Sequence, residues 1–186
     1  MQWIVSLTPE VSGDPFAALA APPEGAAVVE LRLDLFPDVN VAAAVDACPL
    51  PMLATLRSEA EGGCGPDDPV QRAPILAAAR DAGAALLDLE HHRDRGLTAE
   101  LGLTPEQVVL SWHDPRGTPD DLETVVAALH ESRARIVKAV PTAHSLADLE
   151  RVLALHPRFN HRRAHNRRLI TFAMDTVGIA RRYLAP

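Results

Sequence analysis

Short apolar runs of strand length recur along the whole chain, separated by Ala-rich segments with helical patterning. The runs cover 3–7, 28–33, 52–57, 85–90, 108–112, 136–140 and 169–173, each bounded by Pro, Gly, Asp or Asn. Amphipathic segments at 69–82, 119–132 and 146–155 lie between them. Thr118-Pro119 and Ser145-Leu146 read as helix starts, because a hydroxyl caps free amides and proline suits a first turn. Parallel strands need long crossovers, so this alternation predicts a parallel sheet covered by helices. A barrel and an open doubly wound sheet both satisfy the pattern. No GxGxxG or GxxxxGK[ST] follows any strand, which counts against a nucleotide-binding open sheet.

Charge placement within the strands adds a constraint. Residues two apart share a face, so Glu30 and Arg32 point the same way, as do Asp88 and Glu90. Strands buried on both faces carry such pairs only where a polar cavity receives them. Arg32, Arg57, Glu90, His113 and Lys138 all fall near C-terminal strand ends, where β/α barrels build their sites.

The 186 residues are 47% apolar and 23% charged, with no composition shift or linker, so 1–186 reads as a single domain. Eighteen Lys and Arg against 25 Asp and Glu leave a net charge of −7. That balance argues against nucleic-acid and membrane-surface partners. Cys48 and Cys64 make neither a disulfide framework nor a zinc spacing. The start, MQWIVSLTPE, lacks signal-peptide character, and no apolar stretch approaches the ~20 residues of a membrane span. A cytoplasmic location is expected. The pairs His91-His92 and His161…His165 have spacings that could suggest metal ligation, but the second sits in an Arg-rich loop, 158–168, without acidic or thiol partners, and no metal site is assigned.

Three segments could carry chemistry. Lys138 sits within an apolar strand, Ile136-Val137-Lys138-Ala139-Val140. An edge-strand lysine with a solvated ammonium is the ordinary explanation. A lysine enclosed in a barrel would instead favour its neutral amine, a nucleophile toward carbonyls. His113 ends the preceding strand, either bonded to Asp114 in a loop or serving as a base beside the amine. Arg57, followed by Glu61 and Gly62-Gly63, could place a cation and a carboxylate over the same mouth.

The segments Val29-Glu30-Leu31-Arg32-Leu33-Asp34, Thr55-Leu56-Arg57…Glu61-Gly62-Gly63, Asp88-Leu89-Glu90, Ser111-Trp112-His113-Asp114, Ile136-Val137-Lys138 and Met174…Gly178…Arg182 occur in one order. In order and spacing they resemble type I 3-dehydroquinate dehydratase over almost the whole chain. The resemblance implies a TIM-type (β/α) barrel and dehydration of 3-dehydroquinate to 3-dehydroshikimate in the shikimate pathway of aromatic amino-acid biosynthesis. Lys138 would form the Schiff base, His113 would move protons and Glu61 would orient His113. Ser6, Glu30, Arg32 and Arg57 would hold substrate hydroxyls and order the pocket, and Arg182 would bind the substrate carboxylate. Met174 would line the wall, and Asp88 and Glu90 would partner the cavity arginines. No cofactor is implied, because the iminium is the electron sink. The small-molecule substrate is the partner expected, and dimers are common in the family, which makes a homodimer an expectation that no segment marks.

The chain departs from the family pattern at its end. Seven strands are readable; the eighth strand and its Ser-Ala-Pro-Gly-Gln-like covering loop have no match before Pro186. The barrel is therefore expected to be incomplete at the C-terminus. Truncation is the preferred explanation, ahead of a barrel sealed by a partner subunit or a decayed relative. Asp175 also stands where the family has glycine. Two other functions fit less of the pattern: a class I aldolase-like lyase, which would not require the Glu30–Arg32 pair with Arg57 and Glu61, and a non-catalytic dehydratase relative.

Overall fold

The computed structural model describes residues 3–12, 14–160 and 167–175. Seven strands run in chain order: β1 (Trp3–Leu7), β2 (Ala26–Arg32), β3 (Met52–Thr55), β4 (Leu86–Glu90), β5 (Val108–Asp114), β6 (Ile136–Pro141) and β7 (Arg168–Thr171). The helices are α1 (Pro9–Ser12), α2 (Pro15–Ala20), α3 (Val41–Ala47), α4 (Pro69–Asp81), α5 (Leu97–Glu100), α6 (Leu122–His130) and α7 (Leu146–Asn160). Among the described residues, no helix is long and apolar enough to cross a membrane.

All pairings are parallel, and the spatial order is β1-β2-β3-β4-β5-β6-β7. This order separates the two architectures left open by the sequence. A doubly wound sheet reverses direction at a switch point; sequential order winds one way and leaves the helices on one face. The other face must then curve inward, so the chain forms a TIM-type β/α barrel of seven strands. No ladder joins β7 to β1 among the described residues, leaving the barrel incomplete.

The outward positions of the strands, Leu31, Leu87, Leu89, Val137 and Ala139, are at most 1% exposed and join one apolar cluster. Leu19, Leu76, Val126, Leu129 and Val152 meet them from the helices. At roughly 1.5–3 kcal/mol per buried side chain, this layer is the principal source of stability.

Most element ends fall within a few residues of the sequence expectation, and one helix start differs. Ser145 caps α7, its Oγ accepting from the Asp148 amide at 3.2 Å. Thr118 caps nothing: its hydroxyl donates to the Thr142 carbonyl at 2.8 Å, and the helix begins at Leu122. A tertiary acceptor thus captures a side chain that local patterning assigned to a cap.

Candidate functional site

The inner face follows from strand register. Paired residues of parallel strands face the same side, and so do positions two apart. Ser6 pairs with Glu30, Arg32 with Thr55, Thr55 with Asp88, Glu90 with Ser111, and Ser111 with Lys138. This chain of pairs puts Ser6, Glu30, Arg32, Thr55, Asp88, Glu90, Ser111, His113 and Lys138 on one surface. Six strands thereby bring Glu30 and Lys138, 108 positions apart, into contact.

Lys138 lies on the sixth of seven strands, and its side chain is 13% exposed. Its Nζ is 3.5 Å from both Glu30 Oε1 and Asp88 Oδ2. Two carboxylates from different strands therefore grip one amine. Glu30 also accepts from the hydroxyls of Ser6 and Thr55, the latter at 2.8 Å. Burial alone would raise the Glu30 pKa, but Lys138 and the two hydroxyls outweigh it and hold the group below the ordinary value. Asp88 behaves alike: burial opposes ionisation, while Arg57, Lys138 and Ser111 hold its pKa down. The Asp88 Oδ2 atom is buried without a hydrogen-bond partner, and the Lys138 ammonium faces it.

Arg57 is the hub of the carboxylates. Its Nη1 donates to Glu90 Oε1 at 3.0 Å, to Ser111 Oγ at 3.0 Å and to Glu61 Oε2 at 3.3 Å. Its Nη2 lies 2.9 Å from Asp88 Oδ1, but off line, so that contact is charge attraction rather than an aligned hydrogen bond. Burial lowers the guanidinium pKa, and the surrounding Asp88, Glu90, Glu61 and Glu30 raise it further in the opposite direction. Arg32 is engaged too, donating from Nε and Nη2 to the Asp34 carboxylate at 2.8 and 2.6 Å.

His113 turns away from the loop contact that its neighbour Asp114 could offer. Its Nδ1 is 3.0 Å from Glu61 Oε2, which also accepts the His113 backbone amide at 3.0 Å. The glycine pair explains how Glu61 reaches it. Gly62 adopts φ +83, the left-handed region, and a Cβ on Gly63 would lie 2.3 Å from the Arg57 carbonyl oxygen. The turn thus folds back on Arg57 and delivers Glu61 to the cavity. Burial, then repulsion from Glu90 and Asp88, pushes the Glu61 pKa up to about 8 against the pull of Arg57 and Arg93. Burial, then Arg57, Lys138 and Arg32, holds the imidazole well below its ordinary value. A carboxylic acid beside a neutral imidazole carries as many protons as an ion pair, and the buried setting favours the uncharged form.

Several site residues had no assigned role in the sequence reading. Ser111 donates to Asp88 Oδ1 at 2.5 Å and accepts from Arg57. Ser58 donates to Glu90 from both its amide and its hydroxyl, at 2.9 and 2.7 Å. Arg72 on α4 is fully buried and binds Asp94 through two parallel bonds of 2.8 and 2.7 Å. It also donates to the carbonyls of Leu56 and Pro66, so its charge and fork are both satisfied. Asp94 in turn receives the Glu90 amide at 2.8 Å. Ser111 was legible as the residue two before His113; the Arg72–Asp94 pair had no sequence signal beyond an arginine on a helix. Arg182 lies outside the described residues.

Met174 is half-buried and bridges Thr142. Asp175 adopts φ 73, the conformation in which the family's glycine would be unstrained, with its Oδ2 3.6 Å from His144 Nδ1. Among the described residues, no group of three or more His, Cys, Asp or Glu is arranged to hold a metal.

Fold and site together define a TIM-type barrel whose interior carries a lysine, a histidine and interlocked carboxylates at its C-terminal strand ends. The sequence profile of type I 3-dehydroquinase matches residues 8–186. A 3-dehydroquinate dehydratase of Dehalococcoides mccartyi (strain ATCC BAA-2266) is 34% identical over 168 residues, covering 88% of this chain and 72% of that protein. A bifunctional 3-dehydroquinate dehydratase/shikimate dehydrogenase of Arabidopsis thaliana is 34% identical over 137 residues, 69% of this chain and 23% of that one. The crystal structure of 3-dehydroquinate dehydratase from Geobacillus kaustophilus superposes with TM-score 0.75 at 24% identity, over 96% of this chain and 76% of that one. The chain belongs to the type I 3-dehydroquinase family.

Proposed function

We propose that this chain dehydrates 3-dehydroquinate to 3-dehydroshikimate, a step of the shikimate pathway, through a Schiff base on Lys138. Family membership supports the reaction; the grip of Glu30 and Asp88 on Lys138 Nζ, 3.5 Å each, is the observation that carries the residue assignment. Those two carboxylates hold Nζ in place within the cavity. Neutral Nζ then adds to the substrate ketone, and loss of water leaves an iminium. The iminium draws electrons from the adjacent carbon, so His113 can remove a proton there and form an enamine. The enamine expels the neighbouring hydroxyl, which leaves as water with the proton returned by His113. Hydrolysis frees the enone and regenerates Lys138, so one water is lost overall. The iminium is the electron sink, and the reading assigns no metal or organic cofactor.

Glu61 is assigned to orienting His113. When Glu61 is ionised, Nδ1–H donates to Oε2 and Nε2 is left free to accept the substrate proton. Ser6, Glu30, Arg32 and Arg57 are assigned to the substrate hydroxyls and the order of the pocket. Arg57 fits the second role better, since carboxylates and Ser111 already surround it. Arg182 is assigned to the substrate carboxylate on the resemblance alone. We place the enzyme in the cytoplasm, a reduced compartment that suits the free thiols Cys48 and Cys64.

Borohydride reduction in the presence of 3-dehydroquinate, followed by peptide mapping, tests this reading. A reduced adduct on Lys138 is expected. An active enzyme without that adduct overturns the mechanism, and binding of 3-dehydroquinate without release of the ultraviolet-absorbing enone favours a non-catalytic relative.

A further inference from the structure

The crossover from β4 to β5 carries only the short α-helix α5. Helices α4, α6 and α7 run 13, 9 and 15 residues, whereas α5 runs 4. Beside it the outer side of the sheet retains a cavity of about 610 Å³. That volume falls within the ~300–1,000 Å³ of small-molecule sites. Its floor is apolar, built by Val108 and Leu110 of β5 with Leu103 and Ala128. These β5 residues point away from the inner cavity, because Ser111 and Val109 alternate with them.

At the rim two arginines outnumber one carboxylate, Glu131. Arg95 and Arg133 are exposed at the mouth, with His91, Ser132 and Glu131 beside them. Neither guanidinium forms an ion pair with a carboxylate among the described residues. Arg95 Nη2 instead approaches His91 Nε2 at 3.3 Å, and a neutral ring leaves the charge uncompensated. In a chain of net charge −7, two uncompensated guanidiniums over an apolar chamber favour a specific ligand chemistry. The floor has no partners for ring hydroxyls, so a polyhydroxylated substrate does not suit it. A planar carboxylate does suit guanidinium donors. We propose that this outer chamber binds a small monocarboxylate with an apolar body, on the opposite side of the sheet from the catalytic cluster.

Calorimetry and amide NMR on the full chain test the proposal, with 3-phenylpropionate as probe and 3-phenylpropionamide as its uncharged control. The acid should bind one site about tenfold more tightly than the amide, the difference expected of one charge-assisted contact. Joint replacement Arg95→Ala and Arg133→Ala, both at exposed positions, should reduce the acid to the amide's affinity. Ala128→Phe, filling the chamber, should abolish both. Shifts should centre on residues 91–105 and 128–134. Equal binding of acid and amide, unchanged affinity in the double variant, absence of saturable binding, or shifts centred instead on 58–63 and 113–118, each overturns it.

Discussion

The two faces of the sheet are made by the same strands and obey opposite rules. On β4 the outward Leu87 and Leu89 are at most 1% exposed and belong to the apolar core, while the inward Asp88 and Glu90 are equally buried and ionisable. Burial stabilises the first face and opposes the second. The inner carboxylates are tolerable because the charges of Arg57 and Lys138 offset theirs and the hydroxyls of Ser58 and Ser111 donate to them. Concealment is therefore a poor guide to role here, and partners are the better one. A two-residue period lets one strand supply stability outward and chemistry inward.

Substitutions on the two faces should separate those contributions. Lys138→Met should have the largest effect, lowering turnover by about 10⁴-fold or more in an enone-absorbance assay, since the nucleophile is gone. His113→Ala should lower turnover by about 10²–10⁴-fold while far-ultraviolet circular dichroism stays unchanged. On the outer face, Leu89→Ala should cost about 2–5 kcal/mol in urea unfolding through lost packing, with the folded fraction still active. An active-site defect in Leu89→Ala without loss of stability would break the division between the faces.

The smallest effect expected is on pH dependence. Glu61 keeps its proton in the folded chain up to about 8, whereas an unfolded glutamate releases it near the ordinary 4.5. Between those values the folded state binds more protons, so this group's contribution to stability falls as pH rises. Glu61→Gln should remove that slope. The depressed His113 pKa acts oppositely: below about 6.5 the unfolded ring takes up a proton that the folded ring resists, so stability falls as pH drops. In kinetics, kcat/KM should climb as pH rises toward about 8, as Glu61 ionises and frees Nε2 of His113, and Glu61→Gln should abolish that limb. A limb that survives in Glu61→Gln would assign it to another group.

The sequence alone determined the strand–helix alternation, the charged pairs Glu30–Arg32 and Asp88–Glu90, and the candidates Lys138, His113 and Glu61. Those features are local, written in periods of 2 and 3.6 residues and in short motifs. Tertiary structure decided what depends on distant pairing. Strand order selected the barrel over the doubly wound sheet, because winding direction has no local signature. Packing took Thr118 from its expected cap to the Thr142 carbonyl and gave Arg72 its buried partner Asp94, 22 residues away. It also turned His113 toward Glu61, 52 residues away, rather than toward adjacent Asp114. Local patterning names the groups that face inward; only the assembled sheet determines which of them meet, because electrostatic partnership depends on distance in space.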